Sequence, residues 1–216
     1  DYTVALGYQV IGLGVLTGND NIAIGRQAGY AMTSGIHNIF QGWRAGFNAT
    51  TTNYTVAIGY GAIALGDLTG NDNTAIGQLA GEELTSGVSN NFIGLSAGSN
   101  ATTADFTVAL GSNAIGAGIL TGTDNIAIGR LAGYDLTSGT YNFFGGYNSG
   151  GNATTGTLNV AIGYNAIGGG VLTGTRNIGI GDSPLAAATT GGDNIAIGTD
   201  TMGLGVTTGD RNVAIG

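Results

Sequence analysis

The sequence predicts an all-β fold, a parallel β-solenoid, on three observations. A five-residue phrase, Asn/Thr–Val/Ile–Ala–Ile/Leu–Gly with variants, recurs thirteen times in 216 residues, its spacing is nearly constant, and its last residue is always glycine. Self-similarity at a short fixed period is the mark of a chain built by stacking one supersecondary unit on the next.

The phrase begins at positions 3, 21, 38, 55, 73, 90, 107, 125, 142, 159, 177, 194 and 212. The intervals run 18, 17, 17 three times over and then 18, 17, 18, so a longer period of 52 residues overlies coils of 17–18 residues. About twelve coils follow, with superunits at 3–54, 55–106 and 107–158 and a diverged one at 159–216. The opening DYTVALG matches NYTVAIG at 53 and DFTVALG at 105, so 1–216 is expected to be one solenoid segment cut from a longer array. With coils about 4.8 Å apart, the rod should be on the order of 60 Å long.

Composition agrees with a tight-turning rod. The chain has 44 glycines, one proline (Pro184) and no cysteine. It has no strict Gly-X-Y period, and too much Ile, Val, Leu and Ala for disorder. Without cysteine there is no disulfide framework or thiolate metal site. Five arginines against 13 acidic residues give a charge of −8, which argues against a phosphate-binding surface for nucleic acid or an anionic membrane. Gly, Thr and Asn interrupt every apolar stretch before the roughly 18 residues a membrane helix needs, so insertion of this segment into a membrane is not expected.

Each part of the coil has an expected role. The invariant glycines (Gly7, Gly25, Gly42, Gly59, Gly77, Gly94, Gly111, Gly129, Gly146, Gly163, Gly181, Gly198 and Gly216) read as corners needing positive φ or close backbone approach. A threonine once per coil, at 17, 33, 50, 69, 85, 102, 121, 137, 154, 173, 189 and 207, suggests a second short strand. The first-position asparagines, such as Asn21, Asn38 and Asn90, should stack in an amide ladder.

Within the phrase, side chains alternate between two faces. Positions 2 and 4, such as Ile22 and Ile24, are expected to fill the coil. Position 3 is then expected to form an outward apolar ladder of Ala23, Ala57, Ala75, Ala109, Ala127 and Ala161, with Phe40, Phe92 and Phe144 filling gaps in a subunit interface every third coil. That interface implies a homo-oligomer or filament.

These phrases resemble the head repeat of YadA-like trimeric autotransporter adhesins, and are similar to repeats of phage tail fibres. The likeness spans essentially the whole chain through short degenerate motifs, in coils longer than those of the adhesin heads. It implies a left-handed β-roll, three chains around an axis, and display at a cell surface or on a virion fibre.

Catalytic chemistry has little footing. The single histidine, His37, stands where the equivalent coils have Ser89 and Tyr141. Glu82 and Glu83 are adjacent and diverge on an extended chain, whereas glycoside hydrolysis needs carboxylates about 5–9 Å apart across a cleft. IGLGVLTG at 11–18 and IGAGILTG at 115–122 begin like dinucleotide loops but lack the third glycine. Asp20, Asp72 and Asp124 recur at one turn position, where Arg176 stands in the fourth unit, so the column reads as an unliganded turn. No enzyme activity, cofactor or metal is expected.

Surface recognition is the remaining class. The outward residues after the corners include Tyr8, Arg26, Trp43, Tyr60, Arg130, Tyr147 and Tyr164; of these Trp43, Tyr60, Tyr147 and Tyr164 are candidates for a carbohydrate or host-surface ligand bound multivalently. Asn48, Asn53, Asn100 and Asn152 lie in glycosylation sequons, though NATT also makes a good turn. The expectation is therefore a structural or adhesive rod of an extracellular fibre. The alternatives are a phage fibre shaft that recognises or cleaves polysaccharide, and an ice-binding solenoid carried by the threonine ladder.

Overall fold

The computed structural model describes residues 2–13, 16–187, 189–202 and 208–216. Thirteen three-residue strands, from Val4–Leu6 and Ile22–Ile24 through to Val213–Ile215, form one parallel sheet in chain order. This is a β-solenoid of about twelve turns. Each phrase pairs position for position with the next, as Val56 with Thr74, Ala57 with Ala75 and Ile58 with Ile76. Among the described residues there is no helix.

Among the described residues the threonine ladder builds no second sheet. Its backbone links coils, with the Thr17, Thr69 and Thr121 N–H groups donating to the carbonyls of Thr33, Thr85 and Thr137 at 2.7–2.8 Å. Beyond such links, the bridges found there among the described residues are isolated ones, at Ala101–Leu120 and Ala153–Leu172. Turns crowd the threonine on both sides, so few consecutive residues stay extended. Thr207 lies outside the described residues.

The expected assignment of the strand faces is inverted. Ala23, Ala57, Ala75, Ala109, Ala127 and Ala161 are buried within the coil, and so are Phe40, Phe92 and Phe144. None of these nine is on an outer face available to a neighbouring subunit. They meet an opposite wall built from the alanine after each corner, such as Ala28 and Ala97, and the residue before each threonine, such as Met32, Leu68, Leu84 and Leu136. A coil of 17–18 residues is thin, and where the far wall supplies the bulk, a methyl group is what fits beneath the strand.

The same packing explains the 52-residue period. Phe92 lies against two glycines: a Cβ added to Gly98 would stand 2.6 Å from its ring, and one added to Gly81 would stand 2.9 Å away. Where the strand carries alanine at the start of a superunit, the position equivalent to Gly98 is the buried Ile63, Ile115 or Ile167. Large and small residues thus trade places between coils at nearly constant core volume. In the fourth unit Ala196 replaces phenylalanine, and Leu185 and Met202 supply bulk at the partner position.

Two further ladders fix the register. Asn38 donates through Nδ2 to Asn21 Oδ1 at 3.0 Å and to the Thr52 carbonyl at 2.8 Å, while its own Oδ1 accepts the Thr55 N–H at 3.0 Å. The pattern recurs down the rod, with these side chains buried and satisfied. The corner glycines from Gly7 to Gly198 adopt φ of +125 to +138° and stack directly on one another. At Gly94 an added Cβ would lie 2.6 Å from the Gly111 carbonyl oxygen, so both expected reasons for glycine hold there.

Candidate functional site

With the alanines inside, the outer face of the sheet consists of positions 2 and 4 of each phrase. Ile22, Ile76, Ile93, Ile126, Ile128 and Ile162 are exposed, and Ile24, Ile39, Val56, Ile58, Val108 and Val160 are half-buried. The face is a continuous apolar strip interrupted by few polar residues, among them Gln41, Thr74 and Asn91. Twelve intervals of about 4.8 Å and a width of about 10 Å give it an area on the order of 600 Å², at the upper end of the largest patch on a typical monomer.

Past the corner, the side chains form a column along the flank. Trp43 and Tyr60 face each other with ring centroids 4.6 Å apart and planes inclined by 42°. Tyr147 and Tyr164, two superunits on, stack at 5.3 Å and 11°. The Arg26 guanidinium lies 5.8 Å from the Tyr8 ring and that of Arg130 5.5 Å from Tyr147, consistent with cation–π contact. All four candidate aromatics are exposed, as a surface-binding role requires.

Beside Trp43 and Tyr60 lies a cavity of about 300 Å³ lined by Trp43, Arg44, Tyr60, Gly61, Ala64, Leu65, Gln78, Leu79 and Glu82. The Arg44 guanidinium lies 4.0 Å from the centroid of the Phe47 ring and 5.7 Å from that of Trp43; its Nε is buried without a hydrogen-bond partner. Burial raises the Glu82 carboxyl above the usual carboxylate range, and the charge of Glu83 raises it further. The pattern of aromatics in the sequence indicates this flank but not the cavity. Its one signal in the sequence is Gly61, at a position where the neighbouring coils carry Gln27, Arg44, Leu79 and Ser96.

No protein-family model, curated protein or solved structure matches the chain.

The remaining candidates sort by geometry. His37 is exposed and stacks on Tyr54 with centroids 5.1 Å apart. Asp20, Asp72 and Asp124 are three coils apart, about 14 Å, too far to share an ion; among the described residues no cluster of three acidic or histidine side chains forms. In the same column Arg176 pairs with Asp193 one coil on, at 2.5 Å. Hydrogen bonding to Arg176 and then its charge hold the Asp193 carboxyl below its usual range. No helix follows the glycines of 115–122; Gly14 and Val15 of the copy at 11–18 lie outside the described residues.

The sequon asparagines take part in coil-to-coil bonding. Asn48 and Asn100 each donate Nδ2 to the carbonyl of the next coil, Leu65 and Ala117, at 3.0 Å, and Asn53 donates to Asn71 Oδ1. At Asn152 the backbone carbonyl accepts the Leu172 N–H. The threonine hydroxyls are similarly engaged: those of Thr33, Thr85 and Thr137 donate to the carbonyls of Thr50, Thr102 and Thr154.

Proposed function

We propose that this chain is a rigid rod segment of a surface fibre, whose copies pack together through the Ile/Val face of the sheet. The observation that carries this is the exposed strip itself, two apolar side chains per coil repeated along the rod. A patch of this size left in water marks an association surface. Because the face repeats at the coil spacing, the same strip on a second and third copy is complementary to it, and a closed homotrimer or another homo-oligomer buries it. Self-association thus falls to these Ile and Val residues and not to the buried Ala and Phe ladder.

Projection, spacing and adhesion are the tasks suited to such a rod, and none requires turnover. The resemblance of the thirteen phrases to adhesin heads and phage fibres supports placing the fibre outside a cell or on a virion. Adhesion through the aromatic flank would be multivalent, weak at each site and strengthened by the number of copies.

Sedimentation equilibrium tests the assembly. The chain should sediment as a multiple of 21.3 kDa. The double variant Ile58→Lys, Ile128→Lys, which places charges on the strip without touching the core, should sediment as a monomer with an unchanged circular dichroism spectrum. A parent chain that is monomeric at micromolar concentration, or a variant that still associates, overturns the proposal.

A further inference from the structure

The cavity beside Trp43 exists because one side chain is absent from a ladder. The second residue after each corner adopts a left-handed conformation, with φ of +59° at Gln27, +57° at Arg44, +57° at Leu79 and +55° at Asn113. This region costs a non-glycine residue roughly 1–2 kcal/mol. The solenoid nevertheless places a side chain there in coil after coil, and Gln27 uses its own to donate to Gln9 Oε1 at 3.0 Å. Gly61 has the same φ, +63°, and no side chain. The backbone conformation therefore does not demand glycine at 61, since its neighbours adopt it without one.

The copy 104 residues later carries a side chain at this place in the ladder. Tyr147 and Tyr164 repeat the aromatic pair, but Asn165 takes the place of Gly61 and accepts a hydrogen bond at 2.8 Å from Asn148, which takes the place of Arg44. In that copy the ladder is filled. At Gly61 it is open, and the polar groups around the gap differ too, with Arg44, Gln78 and Glu82 where the later copy has Asn148, Asp182 and Ala186.

We propose that the notch at Gly61 is a binding subsite for a neutral hexopyranose unit of a glycan. Trp43 and Tyr60 supply inclined aromatic faces suited to the apolar C–H face of a sugar ring. Gln78 offers an amide donor and acceptor, and Glu82 accepts hydroxyl protons. A volume of about 300 Å³ suits a small ligand. Charge selects the ligand further. The Glu82 carboxylate and a net −8 disfavour an acidic sugar or a nucleotide, and the Arg44 guanidinium already beside the Trp43 ring disfavours an organic cation in the same place. The site does not depend on how the rods associate, because it lies on one chain, past the corner that ends the sheet face.

Trp43 is the single tryptophan of the chain, so its fluorescence reports on this notch alone. The intact chain is titrated with oligosaccharides of glucose, galactose, mannose and N-acetylglucosamine, and in parallel with glucuronic acid and with choline. At least one neutral sugar should give a saturable change in Trp43 emission. Gly61→Gln, which inserts the side chain found at Gln27, should weaken that response by about tenfold or more while leaving the circular dichroism spectrum unchanged and lowering the melting temperature only modestly, by the cost of a non-glycine residue at this φ. Glu82→Gln should weaken it without closing the notch. The proposal fails if no neutral sugar saturates below about 10 mM, a concentration corresponding to only some 3 kcal/mol of binding, or if choline or glucuronic acid saturates at lower concentration than every neutral sugar. It also fails if Gly61→Gln binds as the parent does. The mass measurement above is independent of each of these outcomes.

Discussion

The ring of Phe92 occupies the space that a β-carbon on Gly98 would need, 2.6 Å from where that atom would stand. The two residues are six apart in one coil, and each requires the other. Phe92→Ala should cost about 3–5 kcal/mol, as expected for emptying a buried aromatic site. Gly98→Ile should also destabilise, because its side chain meets the ring. The double variant Phe92→Ala, Gly98→Ile recreates the combination of Ala109 with Ile115 in the next coil, both buried. Urea unfolding of the four proteins should therefore give a favourable coupling of about 2 kcal/mol or more, within the range seen for contacting core residues. An additive pair would mean that the superperiod is not set by this exchange of volume.

That exchange was legible in the sequence, and it contained the information on which face points inward. Strand alternation fixes that positions 2 and 4 oppose position 3, but parity alone does not say which set is buried. The bulkier Ile and Val stand on the outer face, contrary to expectation. Gln41, Thr74 and Asn91 stand at positions 2 and 4, which a tightly packed interior would not accept without partners, whereas position 3 varies only among Ala, Phe and Gly. The corners and the asparagine ladder were readable because each makes one local demand repeated in every coil. The Gly61 notch was not, because it is a single departure from the repeat whose meaning depends on what three successive coils place around it.

Asn90 tests the amide ladder. Its Nδ2 donates to Asn73 Oδ1 at 3.0 Å and to the Ala104 carbonyl at 2.6 Å, and its Oδ1 accepts the Thr107 N–H at 2.9 Å, all in a buried environment. Asn90→Ala leaves the Thr107 donor and the Ala104 acceptor without partners, at about 1–3 kcal/mol for each. Asn90→Asp keeps the shape but turns an acceptor toward two acceptors, so at neutral pH it should be less stable than the alanine variant. Protonation restores a donor, and the Asp variant should therefore recover stability on acidification while the alanine variant does not. Thermal unfolding at pH 4 and pH 7 separates the two. Equal behaviour at both pH values would show that the ladder is solvated instead of buried.

The corner at Gly94 should tolerate no side chain. Its φ is +134°, and the atom an added Cβ would strike is the Gly111 carbonyl oxygen, part of the backbone and unable to rotate away. Gly94→Ala should fall among the exceptional single substitutions, at about 4 kcal/mol or more. Gly61→Ala, at φ +63°, meets only the movable end of Leu79 and should cost much less. Comparing the melting temperatures of the two variants checks the claim. Similar losses would mean that corner stacking contributes nothing beyond ordinary backbone strain.

Glu82 and Asp193 set opposite pH dependences. Glu82 has a carboxyl raised above its ordinary value of 4.5 by burial and by Glu83, so the folded chain holds that proton more tightly than the unfolded chain does. Its contribution to stability is complete below pH 4.5 and is lost as pH rises through the raised folded value. Asp193 is held below its ordinary 3.8 by Arg176; its contribution is present above 3.8 and is lost as pH falls through the lowered value. Glu82→Gln should flatten the decline between pH 4.5 and neutrality and raise the melting temperature at pH 7. Asp193→Asn should lower the melting temperature above pH 3.8 and converge with the parent at the acid end, and only weakly, because that pair is exposed and salt screens it. Melting curves of the two variants from pH 3 to 7 are the measurement. A Glu82→Gln profile parallel to the parent's would place that carboxylate in water and remove it from the wall of the notch.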